Sequence, residues 1–311
     1  MSEFFTVSVL VATVASAVRL TTPYAFAALG ETLGQRSGVL NLGVDGVMLL
    51  GAFFAYWVAL EQQNLWLAVL AGAAVGAAMG VVYAIVTLVF HGEQGISGIG
   101  VYLFGLGMSE LLYRQHIGTP LPAPTLKRWE IPGLGDIPHI GRMFFDHSLL
   151  VFASVALVPL LALLINHTRF GLNVRAVGEN PEAADSRGVS VNGTRTVTIL
   201  VANTLAGVAG AALALEIGTF QQNLTNGIGF IAVALVYFGS WRPLWVFAGA
   251  FLYGLLNATV NQLKTLGIVS GSTASLATAA PAVLTVVALV VIARRRVEQP
   301  AALTLPFVRG G

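Results

Sequence analysis

The stretch LWLAVLAGAAVGAAMGVVYAIVTLVF, residues 65–90, contains no charged side chain and is apolar on every side. A bilayer core about 30 Å thick is crossed by roughly 20 apolar residues in a helix. Residues 65–90 meet that length. They do not alternate every second residue as the strands of a membrane barrel would, and a helix satisfies its own backbone groups in lipid. The stretch reads as a membrane span, and that reading sets the fold class of the chain.

Working outward, similar apolar runs lie near 5–33, 39–60, 96–113, 148–166, 196–217, 227–240, 244–262 and 276–293. With 65–90 they predict an all-α polytopic bundle of about nine spans, within a range of eight to ten, forming a single transmembrane domain over residues 1–311. Arg19 and Pro23 interrupt the first run, which is therefore one long broken helix or two short ones. Residues 227–240 are short for a crossing and leave a re-entrant segment open. Composition agrees: 56% of the 311 residues are hydrophobic and 10% charged, with a mean hydropathy of +0.80. Soluble domains carry roughly 25% charged residues. A water-facing surface built from this chain would expose large apolar patches and aggregate, so the apolar residues face lipid.

The net charge is +2, and the basic residues sit at the ends of apolar runs rather than in a stripe, so there is no nucleic-acid footprint. With no cysteine, disulfides and thiolate metal sites are excluded. The start Met1-Ser2-Glu3-Phe4-Phe5 lacks the basic region of a cleaved signal peptide. Nine crossings put Arg36, the arginines from Arg169 to Arg195, Arg242, Arg294, Arg295, Arg296 and Arg309 on one side. The Lys/Arg bias predicts that this side, with the C-terminus, is cytoplasmic and the N-terminus is outside, in a bacterial inner or plasma membrane.

Two long loops follow from the spans. Residues 114–147, with Pro120, Pro122, Pro124, Pro132, Gly133, Gly135 and Pro138, are expected to form an external cap. Residues 167–195 are expected inside. There Asn180 suits an N-cap, Pro181 a first turn, Glu182 the positive dipole end and Gly188 a stop. A short amphipathic helix flanked by loops is predicted over 180–187.

No catalytic constellation is visible. Lys127 and Lys264 lack the glycine pattern of a phosphate-binding loop before them. His91, His116, His139, His147 and His167 fall at span ends or in loops without a helical i+4 partner, so no metal site is expected. Polar groups inside the apolar runs are more informative, because lipid penalises them unless they face protein or water. These are Glu31, Asn41, Asp45, Gln94, Ser97, Asn203, Asn223, Asn226, Asn257 and Asn261. Each has a bland reading as glue between helices. As a group, neutral amides outnumber charges, which suits an uncharged polar solute better than an ion. The spacing of Gly72, Gly76 and Gly80 predicts close helix packing.

Two polar interruptions stand apart. One is GQRSGVLNLG at 34–43, after which Asn41 and Asp45 share a helix face; the other is GTFQQNLTNG at 218–227. Paired interruptions in the two halves of a chain point to a solute site in transporters built from repeats. Two unrelated loops would look the same.

Three segments carry a resemblance to a known family. Arg36 to Ala52, RSGVLNLGVDGVMLLGA, resembles the signature of permease subunits of ABC importers for nucleosides and simple sugars, a branch related to ribose and branched-chain amino-acid permeases. Ala176 to Ala184, AVGENPEAA, is similar to that family's cytoplasmic coupling segment, and Gly227 to Pro243 to its late transmembrane motif. The likeness runs from about residue 20 to 295. Asp45 stands where the family often has Glu, and Glu93-Gln94 where an Asn-Gln pair is expected.

The resemblance implies a transport subunit with no cofactor of its own. ATP and Mg belong to a separate cytoplasmic ABC ATPase, a second permease (a related chain or another copy) completes the passage, and an extracytoplasmic binding protein delivers solute. Nucleosides are the leading solute and simple sugars such as pentoses the alternative. An ion-coupled secondary carrier is the reading from another class. Expected pathway residues are Asn41, Asp45, Gln94, Ser97, Gln222, Asn223, Asn226 and Phe230; expected ATPase-coupling residues are Gly178, Glu179, Asn180, Pro181, Glu182, Ala183 and Ala184.

Overall fold

The computed structural model describes residues 6–269, 279–280, 283 and 299–309. Among them, seven helices are long and apolar enough to cross a membrane. They are α1 (Val7–Arg36), α2 (Val44–Gln62), α3 (Leu65–Ala84, prolonged by a π turn over Ile85–Val89), α4 (Gln94–His116), α5 (Leu149–His167), α8 (Val191–Ile217) and α10 (Pro243–Thr265). Two shorter helices, α6 (Arg169–Glu179) and α7 (Pro181–Ser186), precede α8, and α9 (Ile228–Phe238) follows it. Apart from residues 279, 280 and 283, the expected span 276–293 lies outside the described residues, as do the arginines 294–296.

The first run is one helix despite Pro23. Thr21 Oγ1 bonds back to the Ala17 carbonyl at 2.7 Å, and Arg19 pairs with Glu216 of α8 at 3.3 Å. Neighbouring helices and hydroxyls commonly make proline tolerable in a membrane helix.

α8 is the axis of the fold and packs against α1, α2 and α3. The approach is close because small residues line it. Gly72, Gly76 and Gly80 are buried on one face of α3, as their spacing predicts, and a Cβ on Gly207 would run into the carbonyl of Gly72. Around this axis sit the buried Phe53, Tyr56, Tyr83 and Phe220.

The two ends of the bundle differ. At the cap end, residues 117–148 fold over the helix termini. β1 (Arg128–Glu130) pairs antiparallel with β2 (Asp146–Ser148), the only strands among the described residues. The Ala123 N–H bonds the Gly218 carbonyl at 2.8 Å, and the Tyr56 hydroxyl donates to the Leu121 carbonyl at 2.7 Å. At the tail end, residues 299–309 lie against the ends of α1 and α6. The Ala302 N–H bonds the Gly178 carbonyl at 2.8 Å and the Thr304 N–H the Gly38 carbonyl at 3.2 Å.

The short run 227–240 is not re-entrant. It is the second half of a crossing that starts at Gly218 at the cap end and ends at Trp241 at the tail end, where the indole Nε1 donates to Gln35 Oε1 at 2.9 Å. The 11 residues of α9 cover only about 16 Å at 1.5 Å per residue. The non-helical residues 218–227 supply the rest, so one crossing is half loop and half helix. A second departure concerns residues 167–195. The predicted helix is there as α7, but α6 fills the expected preceding loop, burying Gly171, Val174, Val177 and Gly178.

Replacing Gly207 by Val should lower the midpoint of thermal unfolding in detergent by an amount matching overpacking, about 1–3 kcal/mol. Gly100→Ala, whose Cβ would meet nothing within 4 Å, should leave it unchanged.

Candidate functional site

Both polar interruptions enter the bundle, and side chains from distant helices satisfy the first. Between α1 and α2, the Leu40 N–H donates to Gln94 Oε1 at 2.8 Å, and the Leu40 carbonyl accepts from the Tyr83 hydroxyl at 2.6 Å. Asn41 Oδ1 accepts from the Gly43 N–H at 2.8 Å, while its Nδ2 donates to Asn203 Oδ1 at 3.0 Å. The buried Arg195 donates from Nε to the Ser37 carbonyl at 3.1 Å and from an Nη to the Leu305 carbonyl at 3.0 Å.

Asp45 joins the two interruptions. It lies in the first turn of α2, yet its carboxylate accepts from the Gly229 N–H at 2.7 Å and from Thr225 Oγ1 at 3.0 Å. It therefore caps α9 from another helix, and the positive N-terminal ends of α2 and α9 converge on one anion. Gly229 has no substitute here, because a Cβ would collide with the Asp45 backbone. Eleven residues of α2 separate Asp45 from Tyr56 at the cap end, roughly 16 Å along the axis, so the junction sits near the middle of the bundle.

The expected pathway residues divide into two groups. Asn41, Asp45 and Gln94 are buried, at 3%, 0% and 3% exposure, with partners inside the chain. Gln222, Asn223, Asn226 and Phe230 are exposed along one side of the half-loop crossing, where Gln221 joins them. Ser97 is half-buried in the first turn of α4. The ring of Phe230 meets Tyr102 of α4 edge-on, centroids 5.0 Å apart.

Of the other polar candidates, Glu31 is buried and accepts from Gln35 Nε2 at 3.4 Å; Asn203 braces Asn41; Asn257 bonds the Tyr253 carbonyl at 3.2 Å; Asn261 is exposed. Thr225 and Gly229 escaped sequence reasoning as partners of Asp45, although both lie in or beside the second interruption. Tyr102 gave no signal. The Glu93-Gln94 departure has a physical account. Glu93 caps α4, accepting from the Gly95 and Ile96 N–H groups, and these bonds hold its carboxyl below the usual glutamate range. An Asn there would cap in the same way.

At the tail end, Asn180 caps α7 as expected, accepting from the Ala183 N–H at 2.9 Å, with Pro181 in the first turn. Glu179, Glu182 and Ala183 are exposed and Ala184 is buried. Gly178 is buried so closely on α1 that a Cβ would meet the Arg36 carbonyl. The α6–α7 unit thus presents an exposed acidic edge while its root is fixed to the first interruption. Among the described residues no cluster of His, Cys, Asp and Glu could hold a metal.

Comparisons with known proteins agree with this architecture. The family model of the branched-chain amino acid transport system, permease component, matches residues 13–293. The chain is similar to the guanosine ABC transporter permease NupQ of Bacillus subtilis, 31% identical over 300 residues and covering 93% of each protein. It is 34% identical over 263 residues to TsgC13 of Haloferax volcanii, a proposed glucose ABC transporter permease, covering 84% of this chain and 80% of that one. It is 33% identical over 257 residues to the nucleoside ABC transporter permease NupC of Lactococcus lactis, covering 79% and 80%. No solved structure gives a match.

Replacing Asp45 by Ala should leave the Gly229 N–H and the Thr225 hydroxyl without an acceptor, a loss of about 1–3 kcal/mol for buried groups. The unfolding midpoint in detergent should fall further for Asp45→Ala than for Asp45→Asn, which keeps one acceptor oxygen.

Proposed function

The chain belongs to the family of branched-chain amino acid transport system permease components, membrane-embedded transport subunits of ABC transporters rather than enzymes, and on that premise we propose that it forms one wall of the passage of an ATP-driven nucleoside importer. The observation that carries this reading is the exposed row Gln221, Gln222, Asn223 and Asn226 in the non-helical half of the crossing that ends in α9. Non-helical backbone and bare amides are tolerated there only where protein or a water-filled cavity covers them. A second permease subunit, a related chain or another copy, supplies the opposite wall.

Neutral amides offer donors and acceptors to hydroxyls and base edges without selecting a charge. The aromatic pair Tyr102 and Phe230 beside them offers a face on which a base stacks. A nucleoside uses both features, whereas an amino acid brings charges for which this row has no counterpart. In this reading Gln222, Asn223, Asn226, Ser97 and Phe230 meet solute, while Asn41, Asp45 and Gln94 brace the wall behind them. A simple-sugar permease is the second reading. The likeness to TsgC13 favours it, and it needs the amides but not the rings.

The tail end carries Arg36, Arg169, Arg175, Arg187, Arg195, Arg242 and Arg309, and the positive-inside rule assigns that end to the cytoplasm of a bacterial inner membrane. The N-terminal end of α1 is then outside. The exposed edge from Gly178 to Ala184 receives the ATPase that binds ATP and Mg, and a binding protein delivers solute at the cap end. Because α6 is fixed to the first interruption, closure of the ATPase pair moves the wall at mid-bilayer.

Two outcomes are expected. In vesicles holding the complete importer, labelled nucleosides should accumulate with ATP and ribose or leucine should not; Phe230→Ala should cut nucleoside uptake at least tenfold with assembly intact. Uptake of ribose alone would transfer the chain to the sugar reading. Glu179→Arg and Glu182→Arg should leave membrane insertion intact but uncouple ATP turnover from uptake, and normal transport by both would remove the coupling role.

A further inference from the structure

A cavity of about 460 Å³ opens at the tail end between α1, α5, α6 and α10, and its lining includes none of the amide row and none of α7. Its lining places three guanidinium groups together, Arg36 from the end of α1, Arg175 from α6 and Arg242 from the start of α10, with the Asn166 amide beside them. Among the described residues, no carboxylate lines it. Glu179 exerts an opposing charge on Arg36 from outside the lining, so the cavity keeps an excess of positive charge. Arg36 Nε is committed to the Trp241 carbonyl at 3.1 Å. Arg175 Nε is different: it is buried and has no hydrogen-bond partner among the described residues. A buried guanidinium N–H without an acceptor is costly, and a site that holds one beside two further cations is built for an anion.

The other side of the cavity is apolar. Leu244 and Trp245 line it and are 65% and 57% exposed, on the outside of the bundle at the end of a membrane-spanning helix. Tryptophan at such a position sits at headgroup level. Cations on one wall and an exposed Leu-Trp edge on the other match an amphiphile whose phosphate lies inward and whose acyl chain runs along α10. We propose that Arg36, Arg175 and Arg242 form a binding site for the phosphate headgroup of an anionic phospholipid. Guanidinium forks match phosphate oxygens two at a time, and basic pockets between membrane helices hold anionic headgroups in this way. Because α6 and the α9–α10 turn both line the cavity, a bound lipid would bridge the coupling unit to the half-loop crossing.

The test uses the complete transporter purified in detergent, with retention of phosphatidylglycerol and phosphatidylcholine measured by mass spectrometry after exchange into mixed micelles. The intact protein should retain phosphatidylglycerol in preference to phosphatidylcholine. Arg175→Gln with Arg242→Gln should reduce that retention about tenfold and leave phosphatidylcholine unaffected. Arg187→Gln, exposed on the same end but outside the cavity, should change nothing, and Arg175→Lys with Arg242→Lys should restore part of the preference. Equal loss of both lipids in the double Gln variant would mean a packing defect and overturn the site, as would undiminished phosphatidylglycerol. Displacement of phosphatidylglycerol by millimolar inorganic phosphate would make this a free-anion site and overturn the lipid assignment. Loss of the ATPase from the double Gln variant with lipid retained would make it a protein interface.

Discussion

A peptide group that leaves a helix inside a bilayer must find a partner within the protein, because lipid offers none. Among the described residues, helical geometry is broken inside the bundle at 37–43 and at 218–227, and neighbouring helices are arranged around that demand. The first break is met by Gln94, Tyr83, Asn41 and Arg195, which come from α4, α3, the break itself and α8. The second is tied to the first through Asp45. An ionised carboxylate is expensive in such surroundings, and what offsets it here is a backbone N–H, a hydroxyl and the positive ends of two helices.

That arrangement separates two kinds of polar residue. The inner kind is buried and partnered: Asn41 bonds Asn203, Gln94 accepts from Leu40, and Asp45 accepts from Gly229 and Thr225. The outer kind, the amides of 221–226, faces away from the bundle with that capacity unspent. A passage can be polar on its surface and still rigid behind it only if these roles fall to different side chains.

Much of this was legible before any coordinates. Uncharged apolar runs such as 65–90 announce membrane helices because few other environments accept them. The Asn180-Pro181 start of α7 was readable because capping is local chemistry. Glycines at 72, 76 and 80 announced a close helix contact, though not its partner. What escaped had long-range causes. Whether 218–227 enters the bundle depends on Phe220 finding Phe53, Tyr56 and Tyr113, and no hydropathy of the segment contains that information. Asp45 and Gly229 lie 184 positions apart, so the sorting of candidates into inner and outer groups was out of reach. The segment RFGLNVRAVGE was expected as loop flanking the short helix; the positions 171, 174 and 178, spaced three and four apart, were the overlooked sign of α6.

Residues 299–309 deserve a mechanical reading. Ala302 bonds α6, Thr304 bonds the first break, Leu305 takes Arg195 of α8, and Arg309 pairs with Asp185 of α7 at 3.1 Å. A strap that holds four separate parts turns them into a single stiff plate. Pushing on any edge of a plate tilts it as a whole, and the far ends of long rods rooted in it swing further than the edge that was pushed. In the proposed importer, a push on the α7 edge is therefore delivered to α1, α6 and α8 together rather than to one helix alone.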